Sequence, residues 1–217
     1  MSIAAMKKLK KMIGILAFQG DVIEHAKIIE KLGHRAIEIR SVEDLKKIDA
    51  LIIPGGESTT IGFFLETTGL GEALKKMATS LSRPLPIWGT CAGSIILAKK
   101  IESHIIPYHL SLMDITVMRN AYGRQIDSFY TSLEIPALSI RDLKAAFIRA
   151  PIITEAHISM PGHKLFQEPE FANRPCILAT HEGKIVLVQQ GKLLASTFHP
   201  ELTEDTRLHE YFISLIP

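Results

Sequence analysis

Residues 86–97, Pro-Ile-Trp-Gly-Thr-Cys-Ala-Gly-Ser-Ile-Ile-Leu, constrain the fold more than any other stretch of the chain. They read as a short apolar strand, a tight turn and the start of an apolar helix. Cys91 stands at the apex, inside Gly89-x-Cys91-x-Gly93, the thiol form of a nucleophile elbow. Flanking glycines let the backbone crowd the turn without a Cβ clash. A helix starting just after Cys91 would aim free N–H groups and the positive end of its dipole at the sulfur, which favours a thiolate. The Ala92 N–H is then placed to hold a developing oxyanion. The same pattern also fits a small buried cysteine, the commonest fate of a free thiol.

A second stretch tips the balance. Phe198-His199-Pro200-Glu201 follows the apolar-rich run Leu193-Leu194-Ala195-Ser196-Thr197. His199 can serve as general base toward Cys91, and Glu201 can orient the imidazole and balance its charge. Pro200 fixes the backbone between them.

The rest of the chain supplies a scaffold for such an elbow. Residues 12–18 form a near-continuous apolar run, as a central parallel strand covered on both faces requires. Gln19-Gly20 turns it into a helix over 21–32, with Val22, Ile23, Ala26, Ile28 and Ile29 as its apolar stripe and Gly33 at its end. A strand at 36–39, a short helix at 42–48 and a strand at 50–53 follow. This rhythm predicts a doubly wound α/β sheet. The third strand runs into Pro54-Gly55-Gly56-Glu57-Ser58-Thr59-Thr60, where Ser58 or Thr59 can cap a helix over 61–65. The segment lacks the Gly-Lys-[Ser/Thr] ending of a phosphate loop. Ligands of open α/β sheets sit beyond the carboxyl ends of the strands, where Cys91 also lies. Further helices are expected over 72–81, over 95–101 and, closing the chain, over 208–216. Residues 113–119, 128–135 and 145–148 read as strands flanking the central sheet, with a turn at 120–125. Residues 176–180, 185–189 and 193–198 read as three more, the first with Cys176 in a structural place. Arg119 and Arg149 each end an apolar run; such an arginine can bind a carboxylate or simply face solvent.

Composition excludes several classes. At 217 residues, 47% apolar and 22% charged, the chain suits one globular α/β domain. A net charge of +2 makes no case for a nucleic-acid partner. Two cysteines make no disulfide framework, so a reducing, cytoplasmic setting is expected. A basic run at 7–11 precedes the first apolar run, but Gln19-Gly20-Asp21 cuts that run too short for a secretory signal. Residues 1–11 are therefore expected to be a flexible lead-in to a domain spanning 12–217, and 157–175 an exposed excursion. No segment is long enough to cross a membrane. His25, His34, His104, His109, His157, His163, His181 and His209 show no metal-ligand spacing, and no metal is expected.

With both motifs in hand, the chain resembles the class I (triad) glutamine amidotransferases. Pro54-Gly-Gly-Glu-Ser-Thr-Thr60, Arg119-Asn-x-Tyr-Gly-Arg-Gln125 with Asp127-Ser128-Phe129, Phe147-Ile-Arg-Ala-Pro151 and Phe198-His-Pro-Glu-Leu202 are similar to the glutaminase subunits of the deoxyxylulose-independent pyridoxal 5′-phosphate synthase. The match runs from about residue 12 to the end. It implies a single-domain, flavodoxin-like three-layer sandwich around a mixed, mostly parallel sheet. It also implies hydrolysis of L-glutamine by Cys91, His199 and Glu201, with the oxyanion held by the backbone N–H groups of Ala92 and Gly56. Gly56, Glu57, Ser58, Arg119, Ile148 and Arg149 would line the glutamine pocket. Ammonia would pass to a synthase subunit, arranged as a dodecameric core, that uses ribose 5-phosphate and glyceraldehyde 3-phosphate. No cofactor is implied. Phe18 stands where these subunits more often have leucine. The competing readings are a γ-glutamyl thiol hydrolase or another amidotransferase's glutaminase subunit, and a docking subunit that has lost catalysis. The Glu57-Ser-Thr-Thr60 and Gly123-Arg-Gln-x-Asp127 stretches argue against the first, and the intact Cys91, His199 and Glu201 against the second.

Overall fold

The computed structural model describes residues 9–119, 128–156 and 173–217. The expected turn at 120–125, Asp127, nearly all of the 157–175 excursion and most of the 1–11 lead-in lie outside the described residues.

The first half of the chain alternates as expected. Strand β1 (Met12–Leu16) leads into helix α1 (Val22–Lys31), then β2 (Arg35–Ile39), α2 (Val42–Leu45) and β3 (Ala50–Ile53). Helices α3 (Ser58–Thr67) and α4 (Leu70–Ala78) precede β4 (Ile87–Thr90) and α5 (Ala92–Leu97). Then come β5 (Ala98–Glu102), β6 (Met113–Met118), β7 (Phe129–Ile135), β8 (Ile140–Phe147) and β9 (Ile152–Ala156). Strands β10 (Cys176–His181), β11 (Lys184–Gln190) and β12 (Leu193–Ser196) and helix α6 (Arg207–Ser214) close the chain.

The main sheet has the order β2-β1-β3-β4-β12-β11-β9-β6-β5, with β10 paired to β11. It is parallel from β2 to β12 and antiparallel from β12 through β11 and β9 to β6; β5 joins β6 in parallel. Apolar residues alternate between its faces. Leu51, Ile53 and Ile87 join α2 to α5 in one core, while Ala50, Ile52 and Trp88 join α1, α6 and the β7–β8 pair in the other. Both faces are therefore covered, which explains the unbroken apolar runs in the sequence. Helix α6 buries Leu208, Phe212 and Ile213 in the second core, each side chain contributing roughly 1.5–3 kcal/mol. Among the described residues no helix is long and apolar enough to cross a membrane.

Four local expectations need correction. The helix behind Cys91 does not run to residue 101. It stops at Leu97, and Ala98–Glu102 is the last strand of the sheet, with Lys99 and Lys100 exposed. Lysine on such an edge discourages pairing with another chain. Ser58 and Thr59 do not cap α3, which starts at Ser58 with Glu57 in the cap position. Of the strands expected to flank the central sheet, β6 lies within it between β9 and β5, while β7 and β8 form a separate antiparallel pair. Finally, Ile23 is 62% exposed, and the buried face of α1 is His25, Ile28 and Ile29.

Candidate active site

The strand order places the site. Strands β4 and β12 are parallel neighbours, with Thr90 opposite Ser196, so residues following both emerge at one edge of the sheet. Cys91 donates its backbone N–H to the Ser196 carbonyl at 2.8 Å. His199, three residues past Ser196, is thereby brought to a cysteine over a hundred positions earlier. The segments after β1 and β3 flank the same edge, where the order 2-1-3 reverses direction and open α/β sheets bind ligands.

Cys91 is held in a backbone conformation that L-residues avoid, φ 47° and ψ −108°. Such strain persists only where the surroundings enforce it. The elbow is tight enough to demand glycine, since a Cβ on Gly89 would sit 2.3 Å from the Gly93 carbonyl oxygen. The thiol points toward the Ile148 carbonyl, 3.9 Å away.

His199 is anchored from the β7–β8 pair, donating its backbone N–H to the Ala146 carbonyl at 2.8 Å. Pro200 opens a single turn of 3₁₀ helix that folds Glu201 back beneath the imidazole. Glu201 Oε1 lies 2.8 Å from His199 Nδ1. Asp21, at the start of α1, places Oδ2 3.0 Å from the same nitrogen. Gly55 lets the ring sit close to the loop after β3, for a Cβ there would come within 2.3 Å of His199 Cε1.

These contacts fix the charge of the site. Burial alone would lower the His199 pKa, but hydrogen bonds to Asp21, Cys91 and Glu201 outweigh it and push it up to about 12. His199 therefore carries a proton on Nδ1 shared by two carboxylates. The His199 contact holds Asp21 below the usual carboxylate range. Burial pushes Glu201 up, and His199 pulls it partly back. Asp21, His199 and Glu201 bring metal-ligating atoms within 4.8 Å of one another. Both carboxylates converge on one ring nitrogen at hydrogen-bond distance, so the cluster is read as holding a proton.

A cavity of about 260 Å³ opens over the thiol, at the small end of ligand pockets. Cys91, Ala92 and His199 line it, and so do all six residues expected to hold glutamine: Gly56, Glu57, Ser58, Arg119, Ile148 and Arg149. Glu201 lies behind His199 and is buried. Arg119 is not a solvated surface residue. Its side chain is 9% exposed, bonded to the Ile105 carbonyl at 2.7 Å and to Glu57 at 3.2 Å. Arg149 holds a positive φ of 45°.

The sequence profile of the SNO glutamine amidotransferase family matches residues 15–216. The chain belongs to this family. Family relatives include the pyridoxal 5′-phosphate synthase subunit PdxT of Thermotoga neapolitana, 45% identical over 204 residues, covering 94% of this chain and 98% of that protein. The PdxT protein of Thermoanaerobacter pseudethanolicus is 47% identical over 207 residues, with the same coverage. A crystal structure of a glutamine amidotransferase, 41% identical, superposes with a TM-score of 0.80 over 94% of this chain and 98% of its own. A GMP synthase component from Thermoplasma acidophilum, 14% identical, superposes with a TM-score of 0.64 over 96% of this chain and 94% of its own, and shares the fold.

Three further residues at the site stand outside the sequence motifs. Asp21 reads in sequence only as the start of a helix, although it follows the first strand, where ligands of such sheets bind. His25 and His209 read like the other scattered histidines, yet both are buried behind Glu201. Helical spacing was the available signal: His25 stands three and four residues before Ile28 and Ile29, and His209 three and four before Phe212 and Ile213.

Proposed function

We propose that Cys91, His199 and Glu201 hydrolyse glutamine in the cavity over the elbow, within one glutaminase domain spanning residues 12–217. As a member of the SNO glutamine amidotransferase family with PdxT relatives along nearly its whole length, the chain hydrolyses L-glutamine and supplies the nitrogen for pyridoxal 5′-phosphate synthesis. The observation that carries the residue assignment is the imidazole of His199 set between the Cys91 thiol and two carboxylates at the rim of the cavity.

The chemistry follows from that placement. His199 already holds, on Nε2, the proton that the thiol gives up, and the sulfur attacks as a thiolate the side-chain amide carbon of glutamine. The backbone N–H groups of Ala92 and Gly56 receive the charge that develops on the amide oxygen. His199 gives its Nε2 proton to the departing nitrogen as the C–N bond breaks, which releases ammonia and leaves a γ-glutamyl thioester. His199 then takes a proton from water, which attacks the thioester. Glutamate leaves and the thiol is restored. Glu201 holds the imidazole ring throughout, in both its neutral and its charged form. Arg119 and Arg149 receive the α-carboxylate, and Glu57 the α-ammonium group.

The partner is the synthase subunit of pyridoxal 5′-phosphate synthase, in the cytoplasm, with several copies of this chain around a dodecameric core. Ammonia passes to that subunit without release to solvent. Cys91→Ala tests the assignment. In the complex it should abolish glutamate release from glutamine while pyridoxal 5′-phosphate is still made from added ammonium. Loss of both activities, or survival of glutamate release, overturns the division of labour. Glutamate release by the wild-type chain should rise strongly when the synthase subunit is added. Full activity alone, unchanged by that subunit, favours a free-standing γ-glutamyl hydrolase.

A further inference from the structure

The outer oxygen of Glu201 raises a question that the triad does not answer. Oε1 is committed to His199 Nδ1, and the Glu201 side chain is fully buried. Oε2 makes no regular hydrogen bond among the described residues. A buried carboxylate oxygen with no donor is costly. The polar atom that faces it is Nε2 of His25, 3.5 Å away. That nitrogen also lies 3.4 Å from Thr90 Oγ1, which accepts the backbone N–H of Gly55 at 3.1 Å. On the other side of the ring, His25 Nδ1 meets His209 Nε2 at 2.9 Å.

We propose that His25 and His209 are positioning residues for glutamine hydrolysis, a buried relay that presents an N–H to Glu201 Oε2 and so holds the carboxylate, and through it His199, in line with Cys91. The inference rests on the reading of Glu201 as the triad acid.

The tautomers follow from the contacts. Both rings are buried and neutral: burial, reinforced by His209 and His199, lowers the His25 pKa well below its ordinary value, and burial lowers that of His209 to about 3. Each ring therefore carries one N–H. A bare Nε2 on His25 would set a lone pair against the Glu201 carboxylate, so the His25 proton sits on Nε2 and Nδ1 accepts. His209 must then donate from Nε2. This leaves its Nδ1, which has no partner among the described residues, as a lone pair rather than a stranded N–H. The relay is uncharged. It cannot neutralise Glu201 and acts by orientation. Thr90 adds a second link, since it immediately precedes Cys91 and ties His25 to the loop after β3. Helix α6 delivers one end of the relay and α1 the other, so the closing helix of the chain is coupled to the thiol through His209, His25, Glu201 and His199.

The test uses the chain in complex with its synthase subunit, with glutamate release followed over a range of glutamine concentrations. His25→Asn keeps a polar group near His209 but is too short to reach Glu201. It should lower kcat about tenfold or more while KM for glutamine holds, because His25 does not line the cavity. His25→Gln can set an N–H where Nε2 stood and should restore kcat to within about threefold of wild type. His209→Phe should resemble His25→Asn, and His209→Gln should recover. Melting temperatures of each complex separate unfolding from misorientation. Equal kcat for His25→Asn and His25→Gln overturns the proposal, whether both stay at the wild-type value or both fall. A rise in KM with kcat unchanged overturns it as well. A wild-type complex that releases no glutamate would instead bring down the glutaminase reading, a distinct failure visible before any variant is made.

Discussion

His199 and His209 are both buried histidines of the last twenty residues, and their surroundings drive them in opposite directions. His199 is pushed up to about 12 and His209 down to about 3. Burial opposes charge at both. The difference lies in what meets the ring nitrogens. His199 Nδ1 faces Glu201 at 2.8 Å and Asp21 at 3.0 Å. His209 has a neutral histidine on Nε2, and the Trp88 and Phe212 rings pack on the cluster around it. The sheet edge thus holds a histidine poised to carry a proton. One layer deeper, the protein holds histidines that stay neutral. Desolvation sets the baseline for a buried imidazole, and a carboxylate within hydrogen-bond reach reverses it.

The most direct way to break this comparison is Glu201→Gln. It removes the charge from the deeper of the two carboxylates and leaves the imidazolium to Asp21, whose side chain is 32% exposed. A fall in kcat of about 10²–10⁴ is expected, with the fold retained. Steady-state glutamate release by the complex checks it. A fall of less than about tenfold would mean that Asp21, not Glu201, carries His199.

The neutral pair gives the next largest effect, on stability rather than rate. The folded pKa of His209 lies below its unfolded value of 6.5, so below that pH the unfolded chain binds a proton that the folded chain refuses. Stability therefore falls as the pH drops from 6.5 toward 3. His209 alone should cost about 2 kcal/mol between about pH 7 and pH 5, and His25, shifted the same way, adds to it. The raised pKa of His199 has the opposite sign. Its contribution is complete below 6.5 and is lost as the pH climbs toward 12. Equilibrium denaturation at the two pH values measures the slope, and His209→Phe should make it shallower. An unchanged slope would mean that His209 is protonated in the folded protein.

How much of this was legible in the sequence depended on how far apart the cooperating residues lie. Cys91 with its glycines is a five-residue pattern, and His199-Pro200-Glu201 a three-residue one. Local geometry sets the shape of each, so each could be read locally. The cavity residues were legible through family resemblance, and all six stand around the thiol. The relay was not legible. Placing His25 against His209 requires that α1 and α6 cover the same face of the sheet, which no local pattern records. The separate β7–β8 pair escapes for the same reason: alternation marks a strand but not its partner. Ile95 to Ile101 reads as continuous helix because Leu97-Ala98-Lys99-Lys100 favours helix. The pairing of β5 with β6 overrides that preference.

The smallest expected effect concerns Asp21, and it sharpens the comparison most finely. Asp21 and Glu201 share one proton on His199 but differ in exposure, with Glu201 sealed in the core and Asp21 open to the cavity. Water screens the outer charge, so replacing it should cost less than replacing the inner one. In Asp21→Asn, His199 loses the strongest of the hydrogen bonds that raise its pKa, yet Glu201 still orients the ring. In the proposed mechanism this imidazolium protonates the departing ammonia; it should then be lost at lower pH, and the alkaline limb of kcat/KM should move down. At neutral pH, kcat should change by less than about tenfold. A pH profile of glutamate release by wild type and Asp21→Asn reads both quantities. An alkaline limb that does not move would leave Cys91 and Glu201 as the sources of the raised His199 pKa. A kcat loss as large as that of Glu201→Gln would make Asp21 an equal partner in holding the imidazole, so that two carboxylates and not one complete the catalytic group.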